Sequence, residues 1–135
     1  MTAPDAVVDI SAMIEMLAGA QPDVALRKRV LRGQLAAPEL FDIEAASVLR
    51  KLARTGAMSE ANAASVLTDI ANAPVARAPH LPLIDRVWQL RHCVSAYDAT
   101  YIALAERLEV PLLTCDAKLA GSHGHAARIE LYPTS

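Results

Sequence analysis

Short, unbroken apolar runs alternate along the chain with longer stretches in which apolar residues recur every three or four positions. These runs are Ala6-Val7-Val8, Leu35-Ala36-Ala37 and Pro111-Leu112-Leu113-Thr114; two further short segments, Val75-Ala76-Arg77-Ala78 and Ile129-Glu130-Leu131, each carry one charge and complete the set of strands. Runs of this length, apolar on both sides, read as strands buried in a parallel sheet. Between them the helical period predicts Ser11 to Leu17, closed by Gly19, and a second helix opened by Pro22 and ended by Gly33. A long helix follows from Pro38 to about Arg54, with Gly56 as its stop. Ser59 caps a helix running through Val66, Leu67 and Ile70 to near Pro74; another spans Leu83 to Leu90; Ser95 opens one that reaches about Leu108. A helical turn, Ala117 to Leu119, precedes Gly121. At 100° per residue, Phe41, Ala45, Val48, Leu49 and Leu52 form one buried stripe, and Tyr97, Tyr101, Leu104, Ala105 and Leu108 another. Strands alternating with helices predict an α/β domain, a three-layer α/β/α sandwich around a mostly parallel central sheet. With no linker, repeat or low-complexity tract, residues 1–135 are expected to form one domain.

Composition narrows the function. Aromatic residues make up only 4% of the chain, which argues against single-strand binding by base stacking. The net charge of −2 makes no general claim on a polyanion, so any nucleic-acid contact must come from a local basic patch. Cys93 and Cys115 match no metal or disulfide spacing and are expected to be free thiols. No basic stretch followed by an apolar segment opens the chain, and no apolar run is long enough to span a bilayer. The expectation is a soluble cytoplasmic protein with no membrane partner.

Four carboxylates change the picture. Asp9 and Asp116 directly follow apolar strands; Glu44 and Asp98 sit at the margins of helical stripes. Each alone has a structural explanation. Asp9, or Ser11 beside it, caps the next helix; Asp116 caps its helical turn; Asp98 completes a capping box with Ser95; Glu44 pairs with Lys51 or Arg54. Together they are costlier, because acids at a core margin destabilise unless paired or bound to a cation. Ligands of open α/β sheets sit beyond the carboxyl ends of the strands, where Asp9 and Asp116 fall. A carboxylate cluster with few histidines suits a hard cation, Mg²⁺ or Mn²⁺, and the reaction such a site supports is phosphodiester hydrolysis.

The segments Val7-Val8-Asp9-Ile10-Ser11-Ala12, Ala37-Pro38 with Phe41-Asp42-Ile43-Glu44, Tyr97-Asp98-Ala99-Thr100-Tyr101 through Ala105, and Leu113-Thr114-Cys115-Asp116-Ala117-Lys118-Leu119 resemble, in that order, the motifs of the PIN-domain nucleases, in particular the VapC toxin branch of bacterial toxin–antitoxin pairs. The resemblance covers essentially the whole chain. It implies a Mg²⁺-dependent endoribonuclease, with Mn²⁺ as a substitute, that cuts a structured RNA such as tRNA to leave a 3′-hydroxyl and a 5′-phosphate. It matches Asp9, Glu44, Asp98 and Asp116 to the family's acidic quartet, with Asp9 and Asp98 the most direct metal ligands. Ser11 and Thr114 fall where the family often has a hydroxyl supporting metal or phosphate. It also implies a homodimer and a VapB-type antitoxin partner.

Among basic residues, Arg27 and Lys28, in a dense cluster with Arg29 and Arg32, and Arg50, Lys51 and Arg54, on the helix that carries Glu44, are the candidates for RNA contact. For the first cluster a solvated helix face is the favoured explanation, since Arg and Lys are common on exposed helix faces. Two other functions stay in view: a phosphoacceptor receiver-like signalling module, in which Lys118 would serve as the lysine near the chain's end, and a catalytically inactive domain that only binds a partner.

Overall fold

The computed structural model describes residues 3–135. Its sheet has five parallel strands in the order β3-β2-β1-β4-β5: β1 (Ala6–Val8), β2 (Leu35–Pro38), β3 (Val75–Ala78), β4 (Leu112–Thr114) and β5 (Ile129–Leu131). The helices are α1 (Ile10–Ala18), α2 (Val24–Arg32), α3 (Phe41–Arg54), α4 (Glu60–Ala71), α5 (Ile84–Gln89), α6 (Ala96–Leu108) and α7 (Ala117–Ala120), with a 3₁₀ turn at Leu81–Leu83 before α5. Helices α1 to α4 pack mainly on one another, whereas α6 lies along β1, β2 and β4 with α5 against it. Right-handed crossovers between parallel strands put the first group on one face of the sheet and α5 to α7 on the other. The expected three-layer architecture is therefore what the chain adopts.

The centre of the sheet is the core. Val7 pairs with Ala36 on one side and Leu112 on the other; Val7, Val8, Leu112 and Leu113 are fully buried. Each buried side chain of this size contributes about 1.5–3 kcal/mol of transfer free energy. The predicted helix stops also hold. Gly19 and Gly33 follow α1 and α2, Gly56 takes a left-handed φ of 80° just past α3, and Ser59 and Ser95 cap α4 and α6 by accepting from the backbone N–H groups of Asn62 and Asp98.

Three details differ from the sequence pattern. Helix α3 begins at Phe41 rather than Pro38, because Pro38 is still paired with Ala78 as the last residue of β2. A proline needs no ladder donor there. Val48 is exposed: it lies 100° round α3 from Leu49, which with Phe41 and Ala45 centres the buried face. Tyr97 is also exposed, while α6 is buried all the way from Ala99 to Ala105 rather than along one stripe. The small side chains of Ala99, Ala103 and Ala105 let this helix sink between the sheet and α5.

The strand order creates one special place. The connection leaving β1 goes to β2 on one side, and the one leaving β4 goes to β5 on the other. Neighbouring strands whose connections diverge open a crevice at their carboxyl ends. Asp9 stands one residue past β1 and Asp116 two residues past β4, so both acids lie at that crevice.

Candidate active site

Asp9 is built into the crevice from both strands. As N-cap of α1 it accepts from the Ala12 N–H at 2.9 Å on Oδ1. The Ser11 hydroxyl donates to the same oxygen at 2.8 Å, and the Thr114 hydroxyl donates to Oδ2. Each hydroxyl has one proton, so both are spent on Asp9, and the 3.2 Å approach of Ser11 Oγ to Thr114 Oγ1 is a contact without a proton of its own. Their oxygens in turn accept from the backbone N–H groups of Cys115 and Asp116, each at 2.9 Å. This latch stitches the ends of β1 and β4 together. It occupies three of the four lone pairs of Asp9 and leaves one, on Oδ2. Ser11 and Thr114 thus hold the carboxylate that the sequence pattern made central.

Glu44, in the first turn of α3, is half-buried and accepts from the Tyr101 hydroxyl at 2.9 Å on Oε1. It pairs with neither Lys51 nor Arg54. Asp98, half-buried, sits in the first turn of α6. Asp116, exposed, caps α7 by accepting from the Lys118 N–H at 2.9 Å. All four carboxylates, with Ser11, Val48 and Tyr101, line one groove of about 230 Å³.

Among the described residues no cation forms an ion pair with a carboxylate of the groove. Burial raises the Asp9 carboxyl above its ordinary range, against the lowering effect of Thr114, Ala12 and Ser11. Burial also raises Glu44, helped by the charges of Asp9 and Asp98 and opposed by the Tyr101 hydrogen bond. Asp98 is raised by burial and by Asp116, with Lys118 pulling the other way. Among the described residues the ion pairs are Arg29–Glu130, Arg77–Asp42, His80–Glu39 and Arg86–Glu106, none of which reaches the groove. Nor do any three acidic, histidine or cysteine side chains among the described residues close into a ready-made metal cage. The donor set nevertheless fits Mg²⁺, which keeps several waters and needs only one or two carboxylates from the protein.

These shifts carry a sign for stability. A carboxyl raised on folding binds more protons in the native than in the unfolded state between the two pKa values, so its contribution falls as pH rises through the folded value. Glu106 and Glu130, held low by Arg86 and Arg29, act in the opposite sense. Comparing the parent with Asp9→Asn isolates the groove. In metal-free buffer, chemical denaturation should find the variant's stability relative to the parent greatest near pH 7, shrinking as pH falls toward the ordinary carboxylate range. A pH-independent difference would show that Asp9 is not raised.

The basic candidates separate. Arg27 and Lys28 are exposed on α2, and Lys28 shares a hollow with Asp5 at the N-terminal end of β1. At about 3.3 Å per residue, Asp5 and Asp9 are roughly 13 Å apart along the strand, so this cluster is not at the acidic end. Arg50 and Arg54 line a hollow between α3 and α4 together with Glu60. Lys51 alone continues the side of α3 that carries Glu44 and Val48, two turns on and about 10 Å along the axis. Sequence reasoning treated Tyr101 as packing and overlooked its hydroxyl. The signal was there: a phenol on an otherwise apolar face, one turn after an acid, needs a polar partner once buried.

The PIN domain family profile matches residues 6–121. Ribonuclease VapC12 of Mycobacterium tuberculosis is 38% identical over 125 residues, 93% of this chain and 97% of the relative; ribonuclease VapC1 of the same organism is 39% identical over 129 residues, 94% and 97%. Among solved structures, PAE2754 from Pyrobaculum aerophilum superposes with a TM-score of 0.71 at 26% identity, covering 93% of this chain and 82% of that one. M. tuberculosis VapC20, described as a sarcin-ricin loop cleaving toxin, superposes with a TM-score of 0.58 at 19% identity, covering 87% and 96%. The chain belongs to the PIN-domain family and, within it, to the VapC ribonucleases. The receiver-like alternative has no support in the fold, since β3 ends at Ala78 and is followed by Pro79 rather than by an acid.

Proposed function

We propose that the acidic groove is the catalytic centre of an endoribonuclease that requires a divalent cation, Mg²⁺ or in its place Mn²⁺. The observation carrying this reading is the convergence of four carboxylates, from β1, α3, α6 and β4, without a basic side chain to pair them. Asp9 and Asp98 hold the ion, with Glu44 and Asp116 completing its surroundings, some through water. When bound, the ion supplies a water of lowered pKa and positive charge for the scissile phosphate. The Asp9 latch keeps one oxygen fixed toward the groove without rearrangement. Asp116, with both lone pairs of Oδ2 uncommitted and exposed, is placed to take a proton or steady a water. Lys118, whose charge opposes the upward shift of Asp98, and Lys51 are the cations positioned to meet RNA phosphates.

The protein is the toxin of a toxin–antitoxin pair, acting in the cytoplasm as one domain on a structured RNA such as tRNA. Its partner is a VapB-type antitoxin. Among the described residues, no helix is long and apolar enough to cross a membrane. A homodimer is supported by exposed apolar side chains on the segment before α6, where Leu81, Ile84 and Trp88 recur at helical spacing. The test is induced expression followed by transcriptome-wide mapping of new RNA 5′ ends, with Asp98→Asn as control and purified protein assayed with and without EDTA. New ends from the parent alone, and cleavage lost in EDTA, are expected. Equal cutting by Asp98→Asn would sink the assignment.

A further inference from the structure

Glu44 and Asp98 reach the groove from helices on opposite faces of the sheet, and α3 and α6 share little packing of their own. Helix α3 packs chiefly on α4, away from the groove, so its own neighbours leave the relation of Glu44 to Asp98 unset. One polar link spans the gap. Tyr101, three residues after Asp98 and therefore on the same side of α6, donates its hydroxyl to Glu44 Oε1 at 2.9 Å. Tyr101 is 1% exposed, and this is the one hydrogen bond its hydroxyl makes among the described residues. A buried phenol without an acceptor is costly, so the bond holds from both ends: the ring is locked by the core, and the hydroxyl has nowhere else to go. Resting on the function proposed above, we infer that Tyr101 is a positioning residue that ties Glu44 to the Asp98 helix across the end of the sheet, engaging one Glu44 oxygen and presenting the other to the ion and its waters.

The two layers of the fold would then be coupled at the site by a single oxygen atom. Tyr101→Phe deletes that atom and keeps the ring, so the core stays filled. Glu44 then regains side-chain freedom, which costs turnover and ion binding more than RNA binding. Removing a residue that orients a metal ligand typically costs 10–100-fold in metal affinity or activity.

The experiment measures three quantities for parent, Tyr101→Phe, Glu44→Ala and the double variant: Mn²⁺ affinity by electron paramagnetic resonance without RNA, single-turnover cleavage at saturating RNA, and the thermal midpoint. Tyr101→Phe is expected to weaken Mn²⁺ binding and slow cleavage by about tenfold or more, with little change in RNA affinity. In the Glu44→Ala background, where there is no carboxylate left to orient, the same substitution should change neither. Parent-like Mn²⁺ affinity and rate in Tyr101→Phe overturn the inference, as does an equal loss in both backgrounds, which would mark a structural role. If the parent itself cuts RNA equally well in EDTA, the metal-dependent reading falls and the inference with it. If the parent needs the ion and only Tyr101→Phe is neutral, the inference alone falls.

Discussion

Asp9→Asn is expected to reduce cleavage by more than a hundredfold while leaving the fold intact. Losing a carboxylate proposed to hold the ion directly should exceed the 10–100-fold typical of residues that merely orient a ligand. The amide oxygen of Asn still accepts from the Ala12 N–H and the Ser11 hydroxyl, and Asn caps helices about as well as Asp. Thr114 loses its acceptor on Oδ2, because an amide NH₂ donates rather than accepts; its hydroxyl proton must turn elsewhere while its oxygen keeps the Asp116 N–H. Against that loss stands relief from burying a charge at a residue only 5% exposed. The net stability change near neutral pH should therefore be small. Cleavage of the mapped RNA, with circular dichroism and a denaturation curve, checks both halves. A well-folded Asp9→Asn within tenfold of parent activity would remove Asp9 from the centre of the site.

Arg77→Met should produce the largest loss of stability of any single polar substitution outside the groove. All five guanidinium N–H groups are used. Two go to the Asp42 carboxylate at 3.1 and 2.8 Å, and the others to the carbonyls of Ile70, Ala73 and Val75 at 2.7, 2.9 and 2.6 Å. The guanidinium also lies 5.3 Å from the centre of the buried Phe41 ring. One side chain thus closes the C-terminal end of α4, the start of β3 and the first turn of α3, the turn that carries Glu44. Methionine fills part of the volume and satisfies none of the carbonyls. Because Arg77 and Asp42 are partly solvated, a loss of about 2–4 kcal/mol is expected, a drop in thermal midpoint of roughly 10 °C. Lysine should recover little, since one ammonium cannot reproduce the fork. A change below about 0.5 kcal/mol, the usual range for an unconstrained surface position, would contradict this role.

What could be read from the chain follows how local each signal is. Val7-Val8 and Leu112-Leu113 announce central strands because a short apolar run has few other places to go. Ser59, Ser95 and Gly56 mark helix ends because caps act within three or four residues. The gathering of Asp9, Glu44, Asp98 and Asp116 around one groove was legible because Asp9 and Asp116 directly follow apolar strands while Glu44 and Asp98 sit at the margins of helical stripes. The rest depends on contacts distant in sequence. Arg77 meets Asp42 across 35 positions and Tyr101 meets Glu44 across 57, and neither pair has a local signature. Val48 was misplaced for a different reason: an apolar residue at the rim of a polar groove satisfies the same periodicity as one in the core. Arg27 and Lys28 could be counted but not located, since the distance from one end of a strand to the other is set by the fold.

The latch on Asp9 has a genetic consequence. One oxygen serves the helix cap, and the other keeps a free lone pair for the groove, so the two jobs part at the codon. Both aspartate codons become asparagine codons through a change in their first base, and asparagine keeps the cap. A cell poisoned by this protein is therefore one nucleotide from the variant expected above to fold and not to cut. Such a silenced copy would keep its outer surfaces, and with them its capacity to occupy partners meant for the active form.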